Sequence, residues 1–155
     1  MKILIVEDDE NKRFQLVDFI SKNFLENDIS TAKSYQSGLR SIINFPPDVI
    51  ILDMTMPTYD ISIDEDGGRP QHYAGREILR QMNRKNIQIP TLVVTGFDHF
   101  GVGESYMSRE QLDLQLMIDH SSFYRGTIYF NAAMEDWKPQ LHNALLAVSK
   151  EINND

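Results

Sequence analysis

The four apolar residues at positions 49–52 (VIIL), which lead directly into Asp53, constrain the fold of this chain more than any other stretch. A short run of this kind, mostly β-branched and bounded by acids, is typical of a strand buried on both faces, as in a parallel sheet covered by helices. A second such run, residues 2–6 (KILIV), leads into Glu7 and Asp8. If the two strands are parallel neighbours, these carboxylates meet at one edge of the sheet, where ligands bind in open α/β folds.

Carboxylates gathered at one edge require a compensating positive charge, because neighbouring like charges resist joint ionisation. Oxygen ligands and retained water suit Mg²⁺, whereas zinc prefers histidine or cysteine. A single acid after a strand is usually a solvated loop start. The pair Glu7 and Asp8 together with Asp53 instead favours a magnesium site.

The 155-residue chain shows no break in composition, which favours one domain over residues 1–155. Its net charge of -8 repels phosphate backbones, so we expect no direct binding to nucleic acid. The sequence lacks cysteine, which excludes disulfides and fits the cytosol. It also lacks an apolar run long enough to cross a bilayer or serve as a signal peptide, so we expect a soluble, cytoplasmic protein without membrane contact.

Hydrophobic periodicity divides the chain into five strands that alternate with five helices. The strands are predicted at about residues 2–7, 29–32, 49–53, 91–95 and 127–130. The segments between them carry apolar residues at helical spacing, such as Leu16, Ile20 and Phe24 in the first helix. Right-handed βαβ crossovers place helices on both faces of such a sheet, which predicts a doubly wound α/β sandwich.

Polar residues at the predicted helix starts are candidate N-caps. Asp9 or Asn11 can cap the first helix, and Asp136 can cap the last one. Ser108 with Gln111 has the spacing of a capping box. The four histidines are scattered without the spacing of metal ligands, and we expect them at the surface.

Residues 58–74 interrupt the alternation with an acidic, glycine-containing stretch that includes Asp60, Asp64, Glu65 and Asp66. This segment is longer than the usual connection in a βα unit. It lacks the glutamate and the spacing of a calcium-binding loop. We therefore interpret it as a solvated insertion.

Four motifs in their order along the chain resemble the receiver domains of two-component response regulators. They are residues 3–9 (ILIVEDD), 49–57 (VIILDMTMP), 75–79 (GREIL) and 93–96 (VVTG). The resemblance covers nearly the whole chain. It implies a flavodoxin-like fold with five parallel strands in the order 2-1-3-4-5.

The resemblance also implies a role for each matching polar residue. Asp53 looks like the phosphoacceptor, which takes a phosphoryl group from the phosphohistidine of a histidine kinase or phosphotransfer protein. Asp8 looks like a direct Mg²⁺ ligand, with Glu7 acting through water and the backbone carbonyl of Thr55 completing the protein ligands. Thr95 looks like the switch hydroxyl that turns toward the phosphoryl oxygens. Phosphoryl transfer fits this set, because it requires mainly positioning and neutralisation of charge.

The chain departs from the family in two places. Residues 58–74 replace a much shorter loop beside the phosphorylation site. In addition, the family carries a lysine just after the fifth strand, whereas Asn131 and Ala132 stand there in this chain. Either the lysine is lost, or Lys138, which precedes Pro139 in the next helix, reaches back to the site.

Three functional hypotheses follow. The first is a stand-alone phosphorelay receiver that presents a changed face to a downstream protein, with no enzyme activity beyond self-phosphorylation and autodephosphorylation. The second is a pseudo-receiver that binds proteins independently of phosphate, which the missing lysine supports. The third, a phosphatase resembling the haloacid dehalogenase group, ranks last because Thr55 stands where that chemistry needs a second acid. A homodimer is compatible with each.

Overall fold

The computed structural model of the protein describes residues 1–60, 74–101 and 103–154. The strands are β1 (Lys2–Val6), β2 (Asp28–Ala32), β3 (Val49–Leu52), β4 (Thr91–Thr95), β5 (His99–Phe100), β6 (Met107–Ser108) and β7 (Tyr124–Tyr129). The helices are α1 (Glu10–Asn23), α2 (Tyr35–Asn44), α3 (Ala74–Arg84), α4 (Arg109–Asp119) and α5 (Trp137–Asn153).

Five strands form one parallel sheet in the order β2-β1-β3-β4-β7. Counted along the chain without the short hairpin β5–β6, this order is 2-1-3-4-5. The predicted doubly wound α/β fold and its strand order are therefore confirmed. The order reverses between β1 and β3, and in such sheets the crevice beyond the carboxyl ends of these two strands is where ligands bind.

Both faces of the central strands are buried, as their continuous apolar sequences predict. Along β1, Ile3 and Ile5 belong to the core covered by α1 and α5, whereas Leu4 and Val6 belong to the core covered by α2, α3 and α4. The alternation follows from the two-residue period of a strand. Because helices cover both faces, the exposed carboxyl edge of the sheet is left for polar chemistry.

Two of the predicted helix caps are present and one is not. The Asp9 carboxylate accepts a hydrogen bond from the Lys12 backbone N–H at 2.9 Å, which starts α1. Ser108 and Gln111 form the predicted capping box of α4. The prediction for Asp136 is wrong, because its backbone is already helical and its side chain makes no capping hydrogen bond.

The connection from β4 to α4 contains an antiparallel hairpin that the periodicity did not predict. In this hairpin β5 pairs with β6, and Phe100, the last residue of β5, is buried. Strands of two residues are too short to show an alternating pattern. The hairpin gives this connection a fixed shape beside the end of β4.

The last strand of the sheet, β7, begins at Tyr124 rather than at the predicted residue 127. Gly126 lies within it at a φ of 119°, a left-handed value that favours glycine. The pairing with β4 shifts register between Thr91 and Val93. A glycine at an irregular position in a strand conceals the strand pattern in the sequence.

The histidines are not all at the surface. His99 is exposed, but His120 is buried and stacks on the ring of Phe123, with 5.3 Å between the ring centroids. The prediction is therefore wrong for His120, because the end of α4 packs its ring against a neighbouring aromatic side chain. Burial lowers the pKa of His120.

The predicted insertion at 58–74 falls mostly outside the described residues, since 61–73 are not described. Asp64, Glu65 and Asp66 belong to that part. Asp60 is described, and its carboxylate accepts a hydrogen bond from the Ser37 hydroxyl at 2.7 Å. Among the described residues, the helices are all too short or too polar to cross a lipid bilayer.

Candidate functional site

Parallel pairing of β1 with β3 brings the predicted acidic residues together. Val6 and Leu52, the last residues of these strands, are paired, so Glu7 and Asp53 leave the sheet side by side. The Asp53 backbone N–H donates to the Val6 carbonyl at 3.1 Å, which extends the pairing by one residue. Carboxylate oxygens of Glu7, Asp8 and Asp53 lie within 4.8 Å of one another.

The three acids line a cavity of about 490 Å³ at the carboxyl edge of the sheet. Glu7 and Asp53 are buried in its wall, whereas Asp8 is exposed at its mouth. Thr55 and Asn131 also line the cavity. The arrangement provides a pocket with buried charge and an open entrance.

Burial dominates the electrostatics of this cluster. It raises the pKa of the Glu7 carboxyl, an effect that the nearby ammonium of Lys12 opposes and the charge of Asp53 strengthens. Partial desolvation also raises the pKa of Asp8, and the charge of Asp53 adds to this. Burial and the proximity of the carboxylates therefore both disfavour joint ionisation of the cluster.

The residues present fit a magnesium ion. Oxygen atoms alone make up the donor set, which Mg²⁺ prefers. Glu7 Oε2 is buried and has no hydrogen-bond partner among the described residues, so this oxygen is available as a ligand. The exposure of Asp8 leaves room for the water molecules that Mg²⁺ retains.

Lys12 is a further residue of the site, and the sequence analysis missed it. Its ammonium Nζ lies 3.1 Å from Glu7 Oε1 and 3.3 Å from Asp53 Oδ2. It also donates a hydrogen bond to the Val94 carbonyl at 2.6 Å. The side chain is only 7% exposed, so these contacts compensate a buried positive charge.

The position of Lys12 on α1 contains a signal that could have revealed it. Lys12 precedes the buried residues Leu16 and Ile20 by four and eight residues, so it lies on the buried stripe of the helix. Side chains of a helix lean toward its N-terminus. Because α1 begins at the carboxyl edge of the sheet, the Lys12 side chain is directed back to that edge.

Thr95 is the last residue of β4 and is fully buried. Its hydroxyl Oγ1 accepts a hydrogen bond from the Phe97 backbone N–H at 3.2 Å. Its backbone carbonyl accepts another from the Phe130 N–H at 2.8 Å, which ties the end of β4 to the residue after β7. Thr95 therefore lies at the predicted edge, one residue before Gly96 in the cavity wall.

The structure separates the two candidates for the position of the family lysine. Asn131 lines the cavity, and its side-chain oxygen accepts a hydrogen bond from the Ala133 N–H at 2.9 Å. The Lys138 ammonium instead pairs with the exposed Glu135 carboxylate at 2.9 Å, and Lys138 is not part of the cavity wall. Of these residues, only the neutral Asn131 borders the site.

The N-terminus of α3 packs closely against the backbone of Asp53 and Met54. The Gly75 backbone N–H donates to the Met54 carbonyl at 2.9 Å. A Cβ atom at position 75 would overlap the Asp53 carbonyl oxygen, so only glycine allows this close approach. On the side chain of Asp53, Oδ1 accepts a hydrogen bond from the Met54 N–H at 2.8 Å, which orients the carboxylate.

The parallel α/β sheet and its acidic crevice are those expected of a receiver domain, and comparison with known proteins agrees. The sequence model of the response regulator receiver domain matches residues 3–113. The chain therefore belongs to the response regulator receiver domain family, as the motifs predicted. The family is a signalling domain rather than a classical enzyme, and its members bind Mg²⁺ at an acidic pocket.

Two curated relatives match most of the chain. The uncharacterized protein y4jR of Sinorhizobium fredii is 35% identical over 153 residues, which cover 97% of this chain and 100% of the relative. The Detocs response regulatory protein DtcB of Enterobacter cloacae is 31% identical over 143 residues, which cover 91% of this chain and 95% of the relative.

Among solved structures, the fold is similar to the CheX-CheY-BeF3-Mg+2 complex from Borrelia burgdorferi. The TM-score is 0.67 at 16% sequence identity, and the match covers 96% of this chain and 88% of the other. At this identity the likeness concerns the fold alone.

Proposed function

We propose that the protein accepts a phosphoryl group on Asp53 from the phosphohistidine of a histidine kinase or phosphotransfer protein. Mg²⁺ would be held by Glu7, Asp8 and Asp53 together with the backbone carbonyl of Thr55. The observation that carries this function is the convergence of three carboxylates in one cavity. The location is then cytoplasmic, where a kinase has access to ATP.

The transfer requires little of the protein beyond positioning. An oxygen of the Asp53 carboxylate attacks the phosphorus atom, the P–N bond to histidine breaks, and the histidine nitrogen keeps the electron pair and takes up a proton. The Met54 N–H holds the Asp53 carboxylate in one orientation. When bound, Mg²⁺ supplies positive charge to the phosphoryl oxygens.

Phosphorylation would be signalled to a partner by a change in the protein surface. Thr95, at the end of β4, would turn its hydroxyl from the Phe97 N–H toward the phosphoryl oxygens. Beyond it, α4 exposes Leu114, Met117 and Ile118, an apolar face suited to a downstream protein partner. A change at Thr95 would therefore reach a surface made for protein contact.

A pseudo-receiver, which binds proteins without phosphate, is the alternative. One observation favours it, since Asn131 rather than a lysine borders the cavity after β7. The acidic cluster favours phosphorylation, because a module that only binds proteins has no use for several clustered carboxylates that a single lysine compensates only in part.

Intact-mass measurement after incubation with acetyl phosphate and Mg²⁺ tests the proposed function. We expect one added phosphoryl group that is stable in acid and labile in base. Asp53→Ala should abolish the addition, whereas Asp18→Ala, which alters an exposed acid on α1, should retain it. Wild-type protein labelled no more than Asp53→Ala would contradict phosphorylation and favour the pseudo-receiver.

A further inference from the structure

We propose that Lys12 supplies the ammonium that contacts the phosphoryl group on Asp53, in place of the lysine that is missing after β7. This role rests on the proposed phosphorylation of Asp53 and adds the residue that would stabilise the phosphoryl group. The ammonium would come from the first turn of α1 instead of the β7–α5 connection. The receiver would then have a complete set of phosphorylation residues, with its lysine on α1 rather than after β7.

The contacts of Lys12 place its ammonium next to the reacting group. Nζ lies 3.3 Å from Oδ2 of Asp53. This oxygen belongs to the carboxylate that would form the bond to phosphorus. The other two contacts, to Glu7 at 3.1 Å and to the Val94 carbonyl at 2.6 Å, hold the ammonium in the cavity wall. An ammonium has three N–H donors, so each contact has a donor.

Charge balance in the cavity supports the same role. Glu7, Asp8 and Asp53 together can carry three negative charges, and the Lys12 ammonium carries one positive charge. A divalent cation then makes the ionised cluster neutral. The incoming phosphoryl group adds further negative charge, which an ammonium at hydrogen-bond distance stabilises strongly in a buried site.

The lysine side chain has the freedom that the role requires. Its flexible four-carbon stem allows the ammonium to move from the Asp53 carboxylate to a phosphoryl oxygen while its proton stays bound. This movement would lengthen or break the hydrogen bond from the Lys12 ammonium to the Val94 carbonyl.

A purely structural role for Lys12 is the competing explanation, since its ammonium already neutralises buried acids. In that case removing Lys12 would lower stability but would not selectively weaken binding of a phosphoryl mimic. The two roles are separated by affinity measured on folded protein and by rescue with a lysine from another element.

The first experiment measures the affinity for beryllofluoride in the presence of Mg²⁺, with the fluorescence of Trp137 as the signal. We expect Lys12→Met to weaken binding by about tenfold to a hundredfold, the effect of losing a charge-assisted hydrogen bond. The matched control is Lys22→Met, which removes an exposed lysine of the same helix and should leave binding unchanged. Lys138→Ala should also leave it nearly unchanged.

Rescue distinguishes a phosphoryl contact from structural support. Adding Asn131→Lys to Lys12→Met returns an ammonium to the cavity wall from the β7 side, and we expect it to recover most of the lost affinity. In the wild-type background, Asn131→Lys should strengthen binding much less, because Lys12 already occupies the site. Failure of the double variant to recover affinity would overturn the proposed role of Lys12.

A measurement on wild-type protein avoids any folding defect of the variants. With lysine side chains labelled for NMR, addition of beryllofluoride and Mg²⁺ should shift the Cε–Hε signal of Lys12 and leave that of Lys22 unchanged. A Lys12 signal that does not respond, or equal affinity in Lys12→Met, overturns the role of Lys12 alone. Wild-type protein that binds no mimic and accepts no phosphoryl group overturns the proposed function itself.

Discussion

The two ends of α1 each carry a lysine paired with acid, but in opposite surroundings. In the first turn, the Lys12 side chain is 7% exposed and contacts two carboxylates that are buried with it. In the last turn, the Lys22 side chain is 72% exposed and pairs with Asp18 one helical turn earlier, at 3.1 Å. The nitrogen–oxygen distances are similar in the two cases, so the pairs differ mainly in their exposure to water.

This difference decides what each pair can do. Water and salt screen the exposed pair, which makes its contribution to stability small. The buried pair has lost its hydration, so each charge depends on its partners and a missing partner is costly. Charges of the second kind are typical of sites that bind ions or perform chemistry.

The largest expected effect comes from removing the buried lysine. In metal-free buffer at neutral pH, Lys12→Met should lower the free energy of unfolding by about 3 kcal/mol, because Glu7 and Asp53 lose their cation. Lys22→Met should cost less than about 0.5 kcal/mol. Urea denaturation of both variants measures the contrast, and equal losses would show that burial makes no difference here.

Magnesium should act on the buried cluster by mass action. At a hundredfold excess over its dissociation constant, an ion that binds only the folded protein raises the free energy of unfolding by about 2.7 kcal/mol. Asp8→Asn should weaken this response and raise the metal-free stability, because it removes one of the mutually repelling charges. Thermal melts with and without Mg²⁺ measure both effects.

An unchanged response in Asp8→Asn would locate the ion elsewhere, for instance at Asp60 and the other acids of the 58–74 stretch. Asp60→Asn is the matched control, since it removes one acid there and none from the cavity. We expect it to retain the full stabilisation by Mg²⁺.

The next largest loss of stability is expected where the backbone of Gly75 packs against that of Asp53. Gly75→Ala should destabilise the protein by about 1–3 kcal/mol, because the new methyl group overlaps the Asp53 carbonyl and α3 must shift. Gly96→Ala is the control, since a Cβ there meets its nearest atom, the Phe130 carbonyl oxygen, at an ordinary 3.5 Å. Denaturant unfolding that ranks the two variants equally would contradict the tight approach.

The smallest effect concerns a partly exposed pair away from the cavity, Arg125 with Glu151. The hydrogen bond from the Arg125 guanidinium lowers the pKa of Glu151 below its usual value. The pair therefore stabilises the protein above the unfolded-state pKa of glutamate and ceases to do so as the pH falls through the lowered folded-state value. With Glu151 largely accessible to solvent, the gain is only about 0.5 kcal/mol.

A double-mutant cycle of Arg125→Met and Glu151→Gln isolates this pair from all other titrating groups. We expect its coupling energy to be present at neutral pH and to be lost as the pH falls through the lowered folded-state pKa of Glu151. A coupling energy that persists in acid would show that the contact does not depend on the carboxylate charge.

The sequence by itself determined the architecture and the acidic part of the site. Continuous apolar runs identify strands buried on both faces, and acids directly after two such runs must meet if the strands are parallel neighbours. For this reason the doubly wound α/β fold was predictable from the residue pattern, whereas the strand order and the family were predicted from the resemblance of four motifs to receiver domains. The same local logic predicted the caps at Asp9 and Ser108, which depend on residues three positions apart.

Only the tertiary structure decided which cation faces those acids. The sequence left two alternatives, Lys138 or no lysine, because the resemblance places this lysine after the last strand of the sheet. The folded chain instead packs the buried stripe of α1 against the sheet and directs Lys12 back to Asp53. Strands and the acids that follow them can be recognised from local patterns, whereas the partner of a buried charge depends on which elements meet at that point in space.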